Sequence, residues 1–246
     1  MKSRLLGGIG ALFVCAAIHA AELTAVTEML PPLNYEEQGV VTGYSTELLQ
    51  AMLQAAGLSA PVSMLPWARA YHTALTQPNT LIYSIVRTDE REPLFNWIGP
   101  ISRRQIFLFK LRARKDIEVS TLADARNYRI GAVREMAATQ QLLRQGFQLD
   151  ENLDLAPTDE SNVKKLFLHR VDLIITLDWS AYFLAKQIGH SAAELEPVLL
   201  LDNSHAYYFA LSKQSDATLT DRLNQAFDKV RASGQLDNLR SKYMHD

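Results

Sequence analysis

Beyond residue 22, short apolar runs alternate with stretches whose apolar residues recur at helical spacing, and this alternation constrains the fold more than any other feature. Residues 23–26, 61–65 and 81–86 read as strands. Between them lie a loop and turn through Pro31, Pro32 and Gly39 to Gly43, then a helix that Ser45 can cap, with Leu48, Leu49, Met52, Leu53 and Ala56 on one face and Gly57 at its end. Pro66 sits where the first turn of a second helix tolerates proline. A further unit follows the apolar segment 106–111, with strands at 129–133, 153–156 and 171–177 and helices at 136–145, 160–169 and 179–189. Residues 197–201 are extended. After 207–211, a helix with Leu219, Leu223, Phe227 and Val230 on one stripe and a short helix over 235–243 close the chain. The order predicts an α/β protein built on parallel sheets.

Two similar units suggest two lobes, each a sheet flanked by helices. The expected division puts 22–108 and 205–246 in lobe 1 and an inserted 109–204 in lobe 2, with hinge crossings near 106–111 and 202–210.

The first 21 residues carry a different signal. Lys2 and Arg4 precede an apolar run from Leu5 to Ile18, and Ala20 and Ala21 follow, which is the order of a cleaved secretory signal peptide. The run is shorter than the roughly 20 residues of a spanning helix. Cleavage after Ala20 or Ala21 removes Cys15, the single cysteine, and leaves 23 basic against 27 acidic residues, a net charge of −4. A mature chain without thiols excludes thiol catalysis and cysteine metal sites and suits an oxidising compartment such as the periplasm. No strongly basic field is available for nucleic acid.

Several segments together resemble the bacterial periplasmic solute-binding proteins of the polar-amino-acid type, extracellular solute-binding family 3. They are Leu30-Pro31-Pro32-Leu33-Asn34-Tyr35 with Thr42-Gly43-Tyr44, Ser84 to Arg91 with Phe95-Asn96-Trp97-Ile98-Gly99-Pro100, Ile130-Gly131-Ala132-Val133-Arg134, and Arg170-Val171-Asp172-Leu173-Ile174-Ile175. The resemblance covers essentially the whole mature chain. It implies a two-lobed, type II Venus-flytrap protein that closes on a small solute and hands it to an inner-membrane permease, acting as a monomer and without a cofactor.

The resemblance also implies ligand contacts. Arg91 falls where the family clamps the ligand's carboxylate, and a guanidinium fork suits that task; the competing reading is a surface charge paired with Glu90 or Glu92. Trp67 stands near a family stacking aromatic and could equally be core. Tyr83 and Ser84 end a predicted strand and offer hydroxyl and main-chain groups. Arg87, with Arg69 and Arg91, would favour an anionic solute over a simple zwitterion if the three converge. Arg134 precedes a helix N-terminus able to face an anion. The family usually follows this arginine with Gly-Thr-Thr, whereas this chain has Glu135-Met136-Ala137. Asp178 either pairs with a ligand amino group or caps the next helix. The family's acid comes one residue earlier, where Leu177 stands. Leu30 likewise replaces a common aromatic stacker.

Two other classes stay open. The same fold hosts a periplasmic cyclohexadienyl dehydratase, for which Glu28, Glu47 and Asp178 are the carboxyls on offer, with no motif joining them. A ligand-loaded sensor domain for a membrane receptor would need the same features as a transport protein. The histidines at 19, 72, 169, 190, 205 and 245 show no metal spacing.

Overall fold

The computed structural model describes residues 23–134 and 136–243. The signal segment and Glu135 lie outside the described residues. In chain order the elements are β1 (Thr24–Thr27), β2 (Tyr35–Glu37), β3 (Val40–Thr42), α1 (Tyr44–Ala56), β4 (Val62–Met64), α2 (Trp67–Thr76), β5 (Thr80–Val86) and β6 (Phe95–Arg103). There follow β7 (Ile106–Leu111), β8 (Ile130–Val133), α3 (Ala137–Arg144), β9 (Leu153–Ala156), α4 (Asp159–Phe167), β10 (Leu173–Leu177), α5 (Asp178–Gln187) and β11 (Leu195–Asp202). The last are β12 (Ala206–Ser212), α6 (Ala217–Ala232) and α7 (Gln235–Tyr243).

Two five-stranded sheets organise the molecule, ordered β4-β1-β5-β12-β6 and β11-β7-β10-β8-β9. Within each, the strands joined by helical crossovers run parallel: β1 with β4 and β5, and β8 with β9 and β10. The sheets are mixed rather than wholly parallel, because β12 runs antiparallel to β5 and β6, and β7 antiparallel to β10 and β11. A parallel pair needs a long crossover. These strands instead meet where the chain steps directly between sheets, at 104–105 and again at 203–205.

The first unit departs from the sequence expectation at two further places. Residues 35–42, expected as loop and turn, form the β2–β3 hairpin, and the helix that Ser45 was expected to cap starts two residues earlier, at Tyr44, with Gly43 as its N-cap and Ser45 buried inside. Gly43 has φ 111°, and a Cβ there would lie 2.7 Å from the carbonyl oxygens of both Pro32 and Leu33. A side chain at that position has no room, so glycine takes the cap although it offers no side-chain acceptor. At the far end Gly57 adopts the left-handed conformation that ends the helix.

The face of α1 predicted to be apolar is the buried one: Leu48, Leu49 and Met52 are fully enclosed with Leu223, Phe227 and Val230 of α6 in one core. Each such side chain contributes roughly 1.5–3 kcal/mol by leaving water. That burial holds the ends of β1 and β5 in place, and the loops after those ends form the site.

Candidate functional site

A cavity of about 910 Å³ opens between the two sheets. Its lining comes from the C-terminal ends of parallel strands on both sides. Glu28 and Leu30 follow β1, Trp67 follows β4, Thr88 to Arg91 follow β5, Met136 to Thr139 follow β8, Asp159 follows β9, and Leu177 ends β10. In open α/β sheets the crevice outside such strand ends is the usual place for a ligand.

The wall on the first sheet is aromatic and cationic. Pro66 caps α2 and places Trp67 at its first position. The Arg91 guanidinium lies 5.2 Å from the Trp67 ring centre and 5.3 Å from that of Tyr71, and it donates to the Val86 carbonyl at 3.1 Å. Stacking on two rings fixes the guanidinium plane without consuming its donors. Among the described residues Arg91 makes no ion pair. Glu92, one of its expected surface partners, pairs with Arg87 instead, at 2.5 and 2.6 Å.

Beneath this wall a buried polar chain shapes the loop after β1. Asn34, fully enclosed, donates to the Glu28 carbonyl and accepts from the Ser84 hydroxyl. Ser84 adopts φ 57°, the left-handed region, while lining the cavity. Burial raises the Glu28 carboxyl to about 7 against the opposing pull of the Arg91 charge, so near neutral pH it is about half protonated.

The wall on the second sheet is mostly apolar: Val133, Met136, Ala137, Ile175 and Leu177. Set in it are Asp159, at the start of α4, and Thr176 on β10. Burial pushes the Asp159 carboxyl up to about 6, opposed only by the Thr176 hydroxyl. That hydroxyl is near enough to steady the acid, yet its geometry falls short of a formed hydrogen bond and its buried oxygen is left without a partner.

The two chain crossings close one side. The Arg104 guanidinium pairs with Asp202, tying the crossings together. Burial pushes the Asp202 carboxyl upward, but the Ser204 hydroxyl and amide and the Arg104 charge outweigh it and hold the group at about 2. Tyr207, beside Arg104, is raised to about 12 by burial.

Of the ligand contacts expected from the sequence, Trp67, Ser84 and Arg91 meet in this cavity, together with Glu28 and with Leu30, Met136 and Leu177 at the positions that depart from the family pattern. Tyr83 lies one residue away but faces the core, its hydroxyl 3.0 Å from that of Thr46 and its ring against Phe209. Arg87 points away, over Trp97 and Tyr208, and Arg69 is exposed outside the cavity, so the three arginines do not converge. Arg134 is exposed outside the lining, although the first turn of α3 that follows it faces inward. Asp178 is buried outside the lining as well. It accepts from the Trp179 amide at 2.9 Å and from Arg103 at 3.2 Å, and burial raises its pKa against both. Tyr71, Arg104, Asp159, Thr176 and Tyr207 were not singled out. Only the position of Asp159 just after a predicted strand could have flagged it.

A second groove of about 920 Å³ lies between the same two bodies, lined by β2, β3, α5 and α7. Most of its charges are paired: Lys242 and the Tyr243 hydroxyl both reach Glu47, Arg103 holds Asp178, and Arg240 lies 3.4 Å from Asp237, while the lining residues Glu37 and Lys186 stand outside these pairs. Between groove and cavity the bodies touch directly. The Ser180 hydroxyl donates to the Pro31 carbonyl, and ring pairs form between Tyr35 and Phe183 at 5.2 Å and between Tyr44 and Trp179 at 5.8 Å.

Among the described residues there is no helix long and apolar enough to cross a membrane and no group of three or more His, Cys, Asp or Glu that could hold a metal ion.

Comparison with known proteins adds the following. The family model described as bacterial extracellular solute-binding proteins, family 3, matches residues 23–246. The probable amino-acid-binding protein YxeM of Bacillus subtilis (strain 168) is 23% identical over 220 residues, covering 87% of this chain and 80% of that protein. The arginine-, lysine-, histidine-binding protein ArtJ of Geobacillus stearothermophilus superposes with a TM-score of 0.70 at 19% identity, over 91% of this chain and 95% of ArtJ. A histidine kinase sensor domain similar to periplasmic binding proteins gives 0.73 at 19% identity, over 90% of this chain and 96% of that domain. At such identities the structural likeness speaks for the fold.

Proposed function

Because the chain belongs to the bacterial extracellular solute-binding proteins of family 3, we propose that it captures a small carboxylate-bearing solute in the cavity between its sheets and delivers it to an ABC-type permease in the inner membrane. In this reading residues 1–21 direct export to the periplasm and are removed. Residues 22–108 with 205–246 and residues 109–204 form two lobes that hinge at the paired crossings, and the closed protein acts as a monomer.

The observation that carries the reading is Arg91. Its guanidinium is fixed on two rings at the cavity wall and is unpaired among the described residues, so a ligand carboxylate completes it. Ser84 and the main chain of the loops after β1 and β5 line the floor beside it. A typical transport affinity near ~1 μM corresponds to roughly 8 kcal/mol, within reach of a few charge-assisted bonds and one stacked ring. Closure follows because the solute touches both walls only in the shut state.

The test is a thermal-shift screen of residues 22–246 against amino acids, polyamines, dicarboxylates and aromatic acids, repeated with Arg91→Ala. A concentration-dependent rise in melting temperature that the substitution abolishes supports the reading. A ligand that stabilises both proteins equally removes Arg91 from the site.

One observation favours a second reading. Glu28, about half protonated at neutral pH in the same cavity, has the acidity a general acid needs, as a dehydratase on this fold would require. Incubation of the purified protein with prephenate and arogenate decides it: product formation lost in Glu28→Gln supports an enzyme, and unchanged substrate ends that reading.

A further inference from the structure

Glu28 owes its place to the order of the first sheet. β1 lies between β4 and β5, so the residue that follows it emerges beside those that follow its neighbours, Trp67 and Arg91. Asn34 holds the main chain there by donating to the Glu28 carbonyl. The side chain lines the cavity on the same wall as Arg91 and, among the described residues, makes neither a hydrogen bond nor an ion pair. Arg91 is its counterpart: two rings and the Val86 carbonyl hold the guanidinium, and among the described residues no carboxylate stands within ion-pair distance.

The other titratable groups nearby leave this relation intact. Tyr207 on β12 lies in the field of Glu28, but it is neutral and takes a hydrogen bond from Arg104, which is itself spent on Asp202. Tyr71 on α2 faces Arg91. Asp159, on the second wall, acts on Tyr207, and the charge of His205 acts on the exposed Glu90. Arg91 is thus the cation whose field reaches Glu28. A solute carboxylate on Arg91 brings a second negative charge into that field. Two carboxylates that share one guanidinium away from bulk water are costly to keep ionised together, and the one already disfavoured by burial keeps a proton.

We propose that Glu28 is the proton-holding partner of the Arg91 site: partly ionised while the site is empty, it becomes protonated when a solute carboxylate occupies Arg91, so that capture takes up a proton. The role depends on the solute-binding reading and adds a pH response to it. Glu28 also sets specificity, because a neutral carboxyl beside a guanidinium offers a second donor to a group that accepts on both oxygens, as a carboxylate does. The sign follows from linkage. With the empty-site carboxyl at about 7 and the occupied one higher, the occupied form holds more protons between the two values. Affinity is therefore steady below about pH 7 and falls above it, by no more than about tenfold per pH unit.

The experiment uses residues 22–246 with L-arginine, L-glutamine, succinate and phenylacetate as probes. Wild type, Glu28→Gln, Asp159→Asn, His205→Gln and Arg91→Ala are titrated calorimetrically at pH 6, 7.5 and 8.5. At pH 7.5 each titration is repeated in two buffers of different ionisation heat, which counts the protons taken up, and ligand-free melting temperatures report folding. The expected result is a probe that needs Arg91, binds wild type about 5- to 30-fold more weakly at pH 8.5 than at pH 6, and takes up about 0.3–0.7 proton at pH 7.5. Glu28→Gln, a neutral isostere, binds it with a pH response within about twofold and no proton uptake, while Asp159→Asn and His205→Gln keep the wild-type response whatever their affinity. Should Glu28→Gln fail to fold, proton uptake that survives in both other variants still assigns the proton to Glu28, and uptake lost in either overturns the assignment. If a probe binds through Arg91 and wild type matches Glu28→Gln at every pH, this inference falls and the solute-binding reading stands. If none of the four binds wild type at pH 6 below ~1 mM, the inference falls, and the broader screen above tests the solute-binding reading alone.

Discussion

The cavity and the groove between the two bodies are nearly equal in size, about 910 and 920 Å³, and both are lined with aromatic and charged side chains. What separates them is unused bonding capacity. In the groove, Glu47 takes Lys242 and Tyr243, and Asp178 takes Arg103. In the cavity, Arg91 is presented on rings without an ion-pair partner among the described residues, and the buried Thr176 hydroxyl lacks a hydrogen-bond partner. Volume therefore says little about which is a site. A surface whose charges are mostly paired gains less from a ligand than a wall with unmet donors and acceptors, which gains whatever the ligand supplies.

Arg91→Ala is the largest expected break in this contrast. Losing a charge-assisted, bidentate contact inside a partly dry cavity should weaken a carboxylate ligand by at least ~100-fold, whereas Lys186→Ala in the groove should leave affinity unchanged within about twofold. Calorimetric titration of both variants checks it.

Next in size is a pH effect on stability. The Glu28 carboxyl is at about 7 in the folded protein and at its ordinary 4.5 when unfolded. Between these values the folded state binds more protons than the unfolded one, so this group's contribution falls as pH rises from about 4.5 through 7 and is fully lost above that. Denaturant unfolding at pH 5 and pH 8 should show wild type losing on the order of 2 kcal/mol more than Glu28→Gln. Equal losses would mean that Glu28 is well solvated.

A smaller effect sharpens the contrast from inside the cavity. Thr176→Val removes a buried, unpartnered hydroxyl from a wall of similar shape and should stabilise the ligand-free protein by about 0.5–1 kcal/mol. Destabilisation would show that the hydroxyl is satisfied. The smallest effect belongs to the groove: Glu47→Gln breaks its exposed pair with Lys242 and should cost no more than about 1 kcal/mol, shrinking as salt is added.

Much of the framework is legible in the sequence. The apolar face of α1, Leu48, Leu49 and Met52, and the nearly continuous run of β10 announce their elements because burial imposes a period on neighbouring residues. The β2–β3 hairpin escaped because its residues alternate weakly and only Tyr35 is buried. Of the site, Trp67, Ser84 and Arg91 could be anticipated from their place after predicted strands. The choice between Arg87 and Arg91 could not, since both stand beside the same acids and only the packing of Trp97 and Tyr208 draws Arg87 to Glu92.

The sequence by itself determined the α/β class, most of the element order and the resemblance to solute-binding proteins, because periodicity, turn residues and motif spacing are properties of nearby residues. The tertiary structure alone decided which charges are spent and which remain for a ligand. Arg104 meets Asp202 across 98 positions and Arg103 meets Asp178 across 75, while Asp159, only five positions before Lys164, forms no ion pair among the described residues. Counter-ion assignment depends on distances between strands far apart in the chain, and no local pattern encodes it.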